Sequence, residues 1–443
     1  MWPGLLSQPR TAQCDHVSTS ALARRLGLRD AVFIGLGSMI GAGVFAAFGP
    51  AARAAGVGLL IGLALAAFIA FCNALASAQL AAQYPTSGGT YLYGRERLGP
   101  WWGFIAGWGF VVGKTASCAA MALTFASYAV PGPHWLQRLI GIAAVLALAG
   151  LNLGGISRTA LATRVTVTIT LVLLSVLVVG IATGEHTSGA HLTGWSDITI
   201  YGVLQSAGLL FFAFAGYARI ATLGEEVRDP VRTIPRAMTI ALSVTVVIYL
   251  LVGLTALAGA GPAVLASSTA PLAAAAHASG VGALAPLARI GAAIAALGAL
   301  LALITGIGRT TLAMAREHDL PGWLAQVDQR RQVPQHAEIA LAVVVSALVA
   351  TVDLREIIGF SSFGVLIYYA VANASASTQQ PEHRRTPRAL NAFGLLGCLV
   401  LVATLPWVDV IIGVIVFVVG LIGRATILSR RRATDSQALT STP

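Results

Sequence analysis

Two stretches of this chain place clustered glycines where an apolar helix would otherwise run unbroken. The first is Gly35-Leu36-Gly37-Ser38-Met39-Ile40-Gly41-Ala42-Gly43-Val44-Phe45, and the second is Phe211-Phe212-Ala213-Phe214-Ala215-Gly216-Tyr217. Each glycine costs a helix about 1 kcal/mol relative to alanine, so these are the points where a helix opens. At the first break, the amides of Ile40, Gly41, Ala42 and Gly43 would face out with little side chain in the way. The N-terminus of the half-helix that follows carries about +0.5 of a charge and attracts carboxylates. Gly37 and Gly41 also form a small-residue packing motif, and the spacing alone weighs the two readings equally. At the second break, carbonyls freed around Phe214, Ala215 and Gly216 would accept from an ammonium group, with Phe212 and Phe214 as apolar walls or a lid. Carboxylate donors paired with amine acceptors describe the shared part of an α-amino acid.

Lys114 is the third candidate. It is the chain's only lysine and sits in the middle of an apolar segment. Ionisable groups at such positions mark ion or substrate paths. All 17 acidic residues fall in loops or near segment ends, so no carboxylate partner is evident. Two roles fit: a group that titrates and couples the protein to protons, or a structural cation held by carbonyls.

The elements that must position these groups are membrane helices. Of 443 residues 56% are hydrophobic and only 10% charged, with mean hydropathy +0.80, whereas soluble domains average about 25% charged. A span needs roughly 20 apolar residues, and twelve candidates are read, at 31–52, 57–83, 101–130, 139–153, 163–183, 201–223, 238–260, 284–314, 339–352, 357–375, 392–405 and 408–428. The fourth, ninth and eleventh are short. The expected fold class is therefore an all-α polytopic membrane protein. Residues 1–30 and 429–443 are read as cytosolic tails around a single membrane domain at 31–428, the second tail as polar and irregular from Arg430.

The net charge of +11 does not imply a nucleic-acid partner, because its distribution follows topology. With the amino terminus in the cytosol, only Arg53, Arg138, Arg289 and Arg355 of the 28 basic residues reach the opposite side, and Lys114 lies within a span. By the positive-inside rule both termini are expected in the cytosol. Cys14, Cys72, Cys118 and Cys398 are scattered, and no cofactor or metal constellation is read. All eight histidines fall outside the span cores, so an intramembrane enzyme is disfavoured. The sequence does not fix an oligomeric state.

Paired broken spans in the two halves of a membrane protein point to the substrate site of a secondary transporter. The breaks fall in the first and sixth spans, five apart, so two five-helix units would have opposite orientations. The chain resembles the amino acid–polyamine–organocation (APC) family of permeases. The resemblance runs from about residue 20 to 428. It is carried by Ile40 to Phe45, by Phe211 to Tyr217 with the following Glu225-Glu226-Val227-Arg228-Asp229-Pro230, by Pro85-Thr86-Ser87-Gly88-Gly89, and by Gly308-Arg309 through Arg316 with Leu320-Pro321.

That resemblance implies the LeuT-type fold: a 5+5 inverted repeat (about 31–183 and 201–375), two extra helices at 392–428, and discontinuous helices one and six. It implies proton-coupled or exchange-type amino acid transport across the cytoplasmic membrane by alternating access. By position, Ile40 to Gly43 match carboxylate-binding residues, and Phe212, Phe214 and Ala215 match lid or amine-binding residues. Two departures stand out. The acidic residue that many members carry after the sixth-helix glycine is replaced here by Tyr217-Ala218-Arg219. Thr170 stands where some members carry a fifth-helix lysine.

The lack of a pocket carboxylate favours small or neutral amino acids. Lys114 and Arg219 leave an acidic substrate open, and amines or a sensor on the same fold are further alternatives. Arg219 is expected mainly at the cytosolic end of the sixth span. Glu225, Glu226, Asp229, Arg228 and Arg232 are read as a solvated loop, with gate ion pairs to Arg24, Arg25 or Arg29 as the second possibility.

Overall fold

The computed structural model describes residues 26–85, 88–154, 160–223, 226–328, 331 and 333–440, with side chains described to Ser429. The described residues form helices joined by short connectors, without a named strand. Most of the expected N-terminal tail lies outside them.

Among the described residues ten helices are long and apolar enough to cross a membrane, and two further apolar helices, Gln335–Thr351 and Arg388–Thr404, are shorter. The fourth segment, expected to be short, runs a full 20 residues from His134 to Leu153. The polar end of the chain is also different from expectation. The last helix continues from Trp407 to Thr440, because the arginine-, alanine- and leucine-containing tail has good helix propensity.

In chain order the helices are α1 Leu28–Met39, α2 Ala42–Ala46, α3 Phe48–Ala55, α4 Leu59–Gln83, α5 Thr90–Leu98, α6 Pro100–Ala129, α7 His134–Leu153, α8 Ala160–Ala182 and α9 Ile200–Phe214. They continue with α10 Ala218–Ala221, α11 Pro230–Ser267, α12 Pro271–Ala278, α13 Ala285–Arg316, α14 Gln335–Thr351, α15 Leu354–Ser377, α16 Arg388–Thr404 and α17 Trp407–Thr440. Between the seventh and eighth candidate spans, residues 261–283 are also largely helical. Gly261 takes φ +73 and kinks α11 beside Pro262, and the chain then folds into α12.

The centre of the bundle is set by α6 and α15. In their most apolar windows 78% and 83% of residues are buried, against 28% for α7 and 17% for α17. Glycine makes this central contact possible. A Cβ on Gly109 would sit 2.8 Å from the Gly364 carbonyl oxygen, and one on Gly364 would sit 2.9 Å from the Gly113 Cα. Lipid gives helices no hydrophobic reason to associate, so close backbone approach at small residues supplies the attraction. The next residue after Gly113 is Lys114, which this packing carries into the interior.

Candidate functional site

Both glycine clusters open their helices. After α1 the backbone leaves the helical region at Ile40 (φ −80, ψ 55) and Gly41 (φ −104, ψ −137), and α2 begins at Ala42. The first amides of a helix have no intrahelical acceptor, so this start is a donor surface. The second opening is milder. Between α9 and α10, Ala215 to Tyr217 form one tighter 3-10 turn, which changes the direction in which the carbonyls point.

The two openings pack against each other crosswise. A Cβ on Gly43 would fall 2.5 Å from the Ala213 Cα, and one on Gly216 would fall 2.2 Å from the Ser38 carbonyl oxygen. Neither position can carry a larger residue without moving backbone. The Tyr249 hydroxyl of α11 bridges them: it lies 2.6 Å from the Met39 carbonyl oxygen and 3.0 Å from that of Ala213, sharing its proton between one carbonyl from each broken span.

Lys114 reaches the second opening directly. Its Nζ donates to the Ala215 carbonyl oxygen at 3.0 Å, and the Tyr369 hydroxyl donates to the same oxygen at 3.3 Å. Among the described residues no carboxylate pairs with Lys114. Its charge is met by a backbone oxygen at the second opening.

A cavity of about 110 Å³ opens beside this contact. Its walls include Ser38, Lys114, Ala215 and Gly216, and it continues past Arg219 and Thr222 to Tyr91 and Arg309 near the arginine-rich end of the bundle. The expected residues therefore divide. Lys114, Ala215 and Gly216 line the cavity. Gly41 packs on Ala299, itself a lining residue. Ile40, Ala42 and Gly43 are buried behind that surface, and so are Phe212 and Phe214. Phe214 packs against Tyr249 with the rings tilted by 53° and their centroids 5.0 Å apart. Arg219, expected at a span end, lies two residues before the end of the sixth span, Ile200–Ala221, and there also lines the cavity. Thr170 is buried and returns its hydroxyl to the Thr166 carbonyl.

At the opposite end a second cavity of about 450 Å³ is bordered by Ala46, Ser127, Arg138 and Asp353. The next residues inward form a plug. The Tyr128 hydroxyl donates to the Phe45 carbonyl at 2.7 Å and accepts from the Leu272 amide at 3.2 Å. This ties α6 and α2 to the capping helix α12.

The sequence reading missed the network at the arginine-rich end. Asp319 is buried and pairs with Arg95 at 2.9 Å and with Arg424 at 2.7 Å, and it accepts from the Tyr91 hydroxyl at 2.8 Å. Arg424 lies over the Trp101 ring at 4.3 Å. Burial and the neighbouring Asp319 carboxylate push the Tyr91 phenol far above its ordinary range, so it remains a neutral donor. The only sequence signal was a lone aspartate between two basic helix ends. The loop before α11 is expected to be solvated, with gate pairs to Arg24, Arg25 or Arg29 as the second possibility. Glu226 pairs with Arg309 at 3.3 Å, while the loop backbone pairs with Leu26: the Leu26 amide donates to the Glu226 carbonyl, and the Arg228 amide to the Leu26 carbonyl. Arg24, Arg25 and Glu225 lie outside the described residues.

Comparison with known proteins agrees with this architecture. The family model described as "Amino acid permease" matches residues 26–427. A Mycobacterium tuberculosis protein named an uncharacterized transporter is 56% identical over 418 residues, 94% of each chain. The branched-chain amino acid permease BcaP of Bacillus subtilis is 26% identical over 434 residues, covering 91% of this chain and 92% of the relative. A vacuolar cationic amino acid transporter 2 of Arabidopsis thaliana is 27% identical over 419 residues, covering 88% of this chain and 66% of the relative. The chain belongs to the amino acid permease family of the APC transporters.

Proposed function

We propose that this permease is a secondary active transporter that moves amino acids across the cytoplasmic membrane by alternating access, with proton coupling or exchange. The observation that carries the reading is the crosswise contact of two opened spans next to a cavity that Lys114 enters. A rigid binding protein has no need of helix breaks at membrane depth, where irregular backbone survives only when buried or lining a cavity. In this reading the twelve apolar helices all span, as two inverted five-helix repeats and two additional helices, with both termini in the cytosol.

The α2 amides from Gly41 onward hold the α-carboxylate, and the carbonyls near Ala215 and Gly216 hold the amine. The first of these surfaces is enclosed here, so this role requires that the interface between the breaks loosen as substrate enters. The cavity opens toward the arginine-rich, cytosolic end, while Tyr128, Phe45 and Leu272 close the outer path. Lys114 is the coupling candidate: its bond to Ala215 links a titratable group to the backbone that changes shape. The lining is built largely from alanine, glycine and hydroxyl residues and carries no carboxylate among the described residues. It therefore suits compact amino acids and disfavours dibasic ones and polyamines.

The test is counterflow in proteoliposomes preloaded with a mixture of unlabelled amino acids, with and without an inward proton gradient. Transient accumulation of a labelled amino acid is expected. Saturable binding without accumulation would replace the transport reading by that of a sensor.

A further inference from the structure

The cavity is lined by three cationic side chains, Lys114, Arg219 and Arg309, and by no acidic one among the described residues. Two of the three are compensated. Lys114 is held by the Ala215 carbonyl, and Arg309 by Glu226 at 3.3 Å. Arg219 is different. Its Nη1 donates to the Thr222 hydroxyl at 3.3 Å, a neutral partner, while the Glu226 carboxylate, already paired with Arg309, acts on it only from beyond ion-pair distance. The guanidinium extends across the cavity toward α13, where Gly306 leaves room: a Cβ added there would still be 3.8 Å from Nη1. A partly buried cation with a neutral partner is an incomplete site, since withdrawal from water costs energy that an opposite charge offsets. A guanidinium presents a planar fork of donors that matches one carboxylate in bidentate fashion.

Position decides which carboxylate this is. Arg219 stands three residues, almost one helical turn, beyond Gly216 and shares the cavity wall with Arg309, whereas Gly41 to Gly43 of the first break are not part of that wall. An amino acid whose α-carboxylate and amine are held at the breaks would direct its side chain toward Arg219. We propose that Arg219 determines specificity by pairing with the side-chain carboxylate of a compact acidic amino acid of the aspartate type. This inference rests on the transport reading above and narrows its compact substrates to anionic ones. The inference departs from the neutral preference expected from the sequence, because the Arg219 side chain lines the cavity.

The experiment compares labelled aspartate, asparagine and alanine in counterflow with the full-length protein and with Arg219→Gln and Arg219→Lys. Aspartate and asparagine have nearly the same shape and differ in charge, so their ratio isolates the pairing. The expected result is a preference for aspartate of about tenfold or more in the parent protein, the range of a charge-assisted bond. That preference should be lost in Arg219→Gln and partly restored in Arg219→Lys. Equal exchange of aspartate and asparagine in the parent protein, or an unchanged ratio in Arg219→Gln, overturns the proposal while leaving transport intact. Absence of exchange for every labelled amino acid overturns the transport reading and this inference with it. If Arg219→Gln does not fold, the comparison in the parent protein decides alone.

Discussion

The Lys114 ammonium donates to the carbonyl oxygen of Ala215 at 3.0 Å, joining the middle of one span to the opened backbone of another. An ordinary helical carbonyl is already used by an amide four residues on. At Ala215 to Tyr217 the helix tightens into a 3-10 turn, and its first carbonyl accepts from a cation on another span. The bond couples the charge of Lys114 to the local shape of the broken helix, and the predictions below follow from this and three neighbouring contacts.

Lys114→Gln keeps a donor in reach of Ala215 and removes the titratable charge. The expected outcome is retained exchange with loss of stimulation by an inward proton gradient. Uptake measured against external pH in proteoliposomes checks this, and proton stimulation that survives the substitution would assign Lys114 a structural role.

Tyr249→Phe removes the hydroxyl shared by the Met39 and Ala213 carbonyls. Both carbonyls are buried, so the loss should cost about 1–3 kcal/mol, the range for stranding a buried polar group. A lower melting temperature in detergent is expected, together with slower counterflow. An unchanged melting temperature would mean that the carbonyls find other donors.

Gly43→Ala and Gly216→Ala each place a Cβ within 2.5 Å of backbone on the facing span. Both should abolish counterflow, through failure to fold or through a wedge between the breaks. Gly150→Ala is the comparison, since a Cβ there meets nothing within 4 Å. Size-exclusion profiles separate folding loss from transport loss, and normal exchange by either of the first two variants would contradict the close packing.

Asp319→Asn leaves buried Arg424 without its counter-charge and leaves Arg95 only the exposed Glu317 carboxylate at 3.0 Å. Removing one member of a buried ion pair costs about 3–5 kcal/mol, so a marked fall in thermal stability is expected. Combining Asp319→Leu with Arg424→Met should recover part of it, because no buried cation is then stranded at that position. Equal melting temperatures for Asp319→Asn and the parent protein would show that water reaches the network.

The sequence by itself determined the membrane class, both helix breaks and the isolation of Lys114. These are properties of local composition: twenty apolar residues span a bilayer in any tertiary context, and clustered glycine weakens a helix wherever it lies. Most span positions were legible for the same reason. The full lengths of the fourth and last helices were not, because their ends carry polar residues that an apolar window leaves out but that helix propensity tolerates.

Only the tertiary structure decided which groups meet. That Gly43 packs on Ala213, that Tyr249 bridges the breaks, and that Asp319 gathers Arg95 and Arg424 are contacts between residues far apart in the chain. No local pattern encodes them, since a tyrosine or aspartate near a span end looks the same whether it faces lipid, water or a partner helix. Arg219 is the clearest case. Its residue type was visible from the start, but its direction, and with it a role in the cavity, depends on the turn at Ala215 to Tyr217 and on the space left at Gly306.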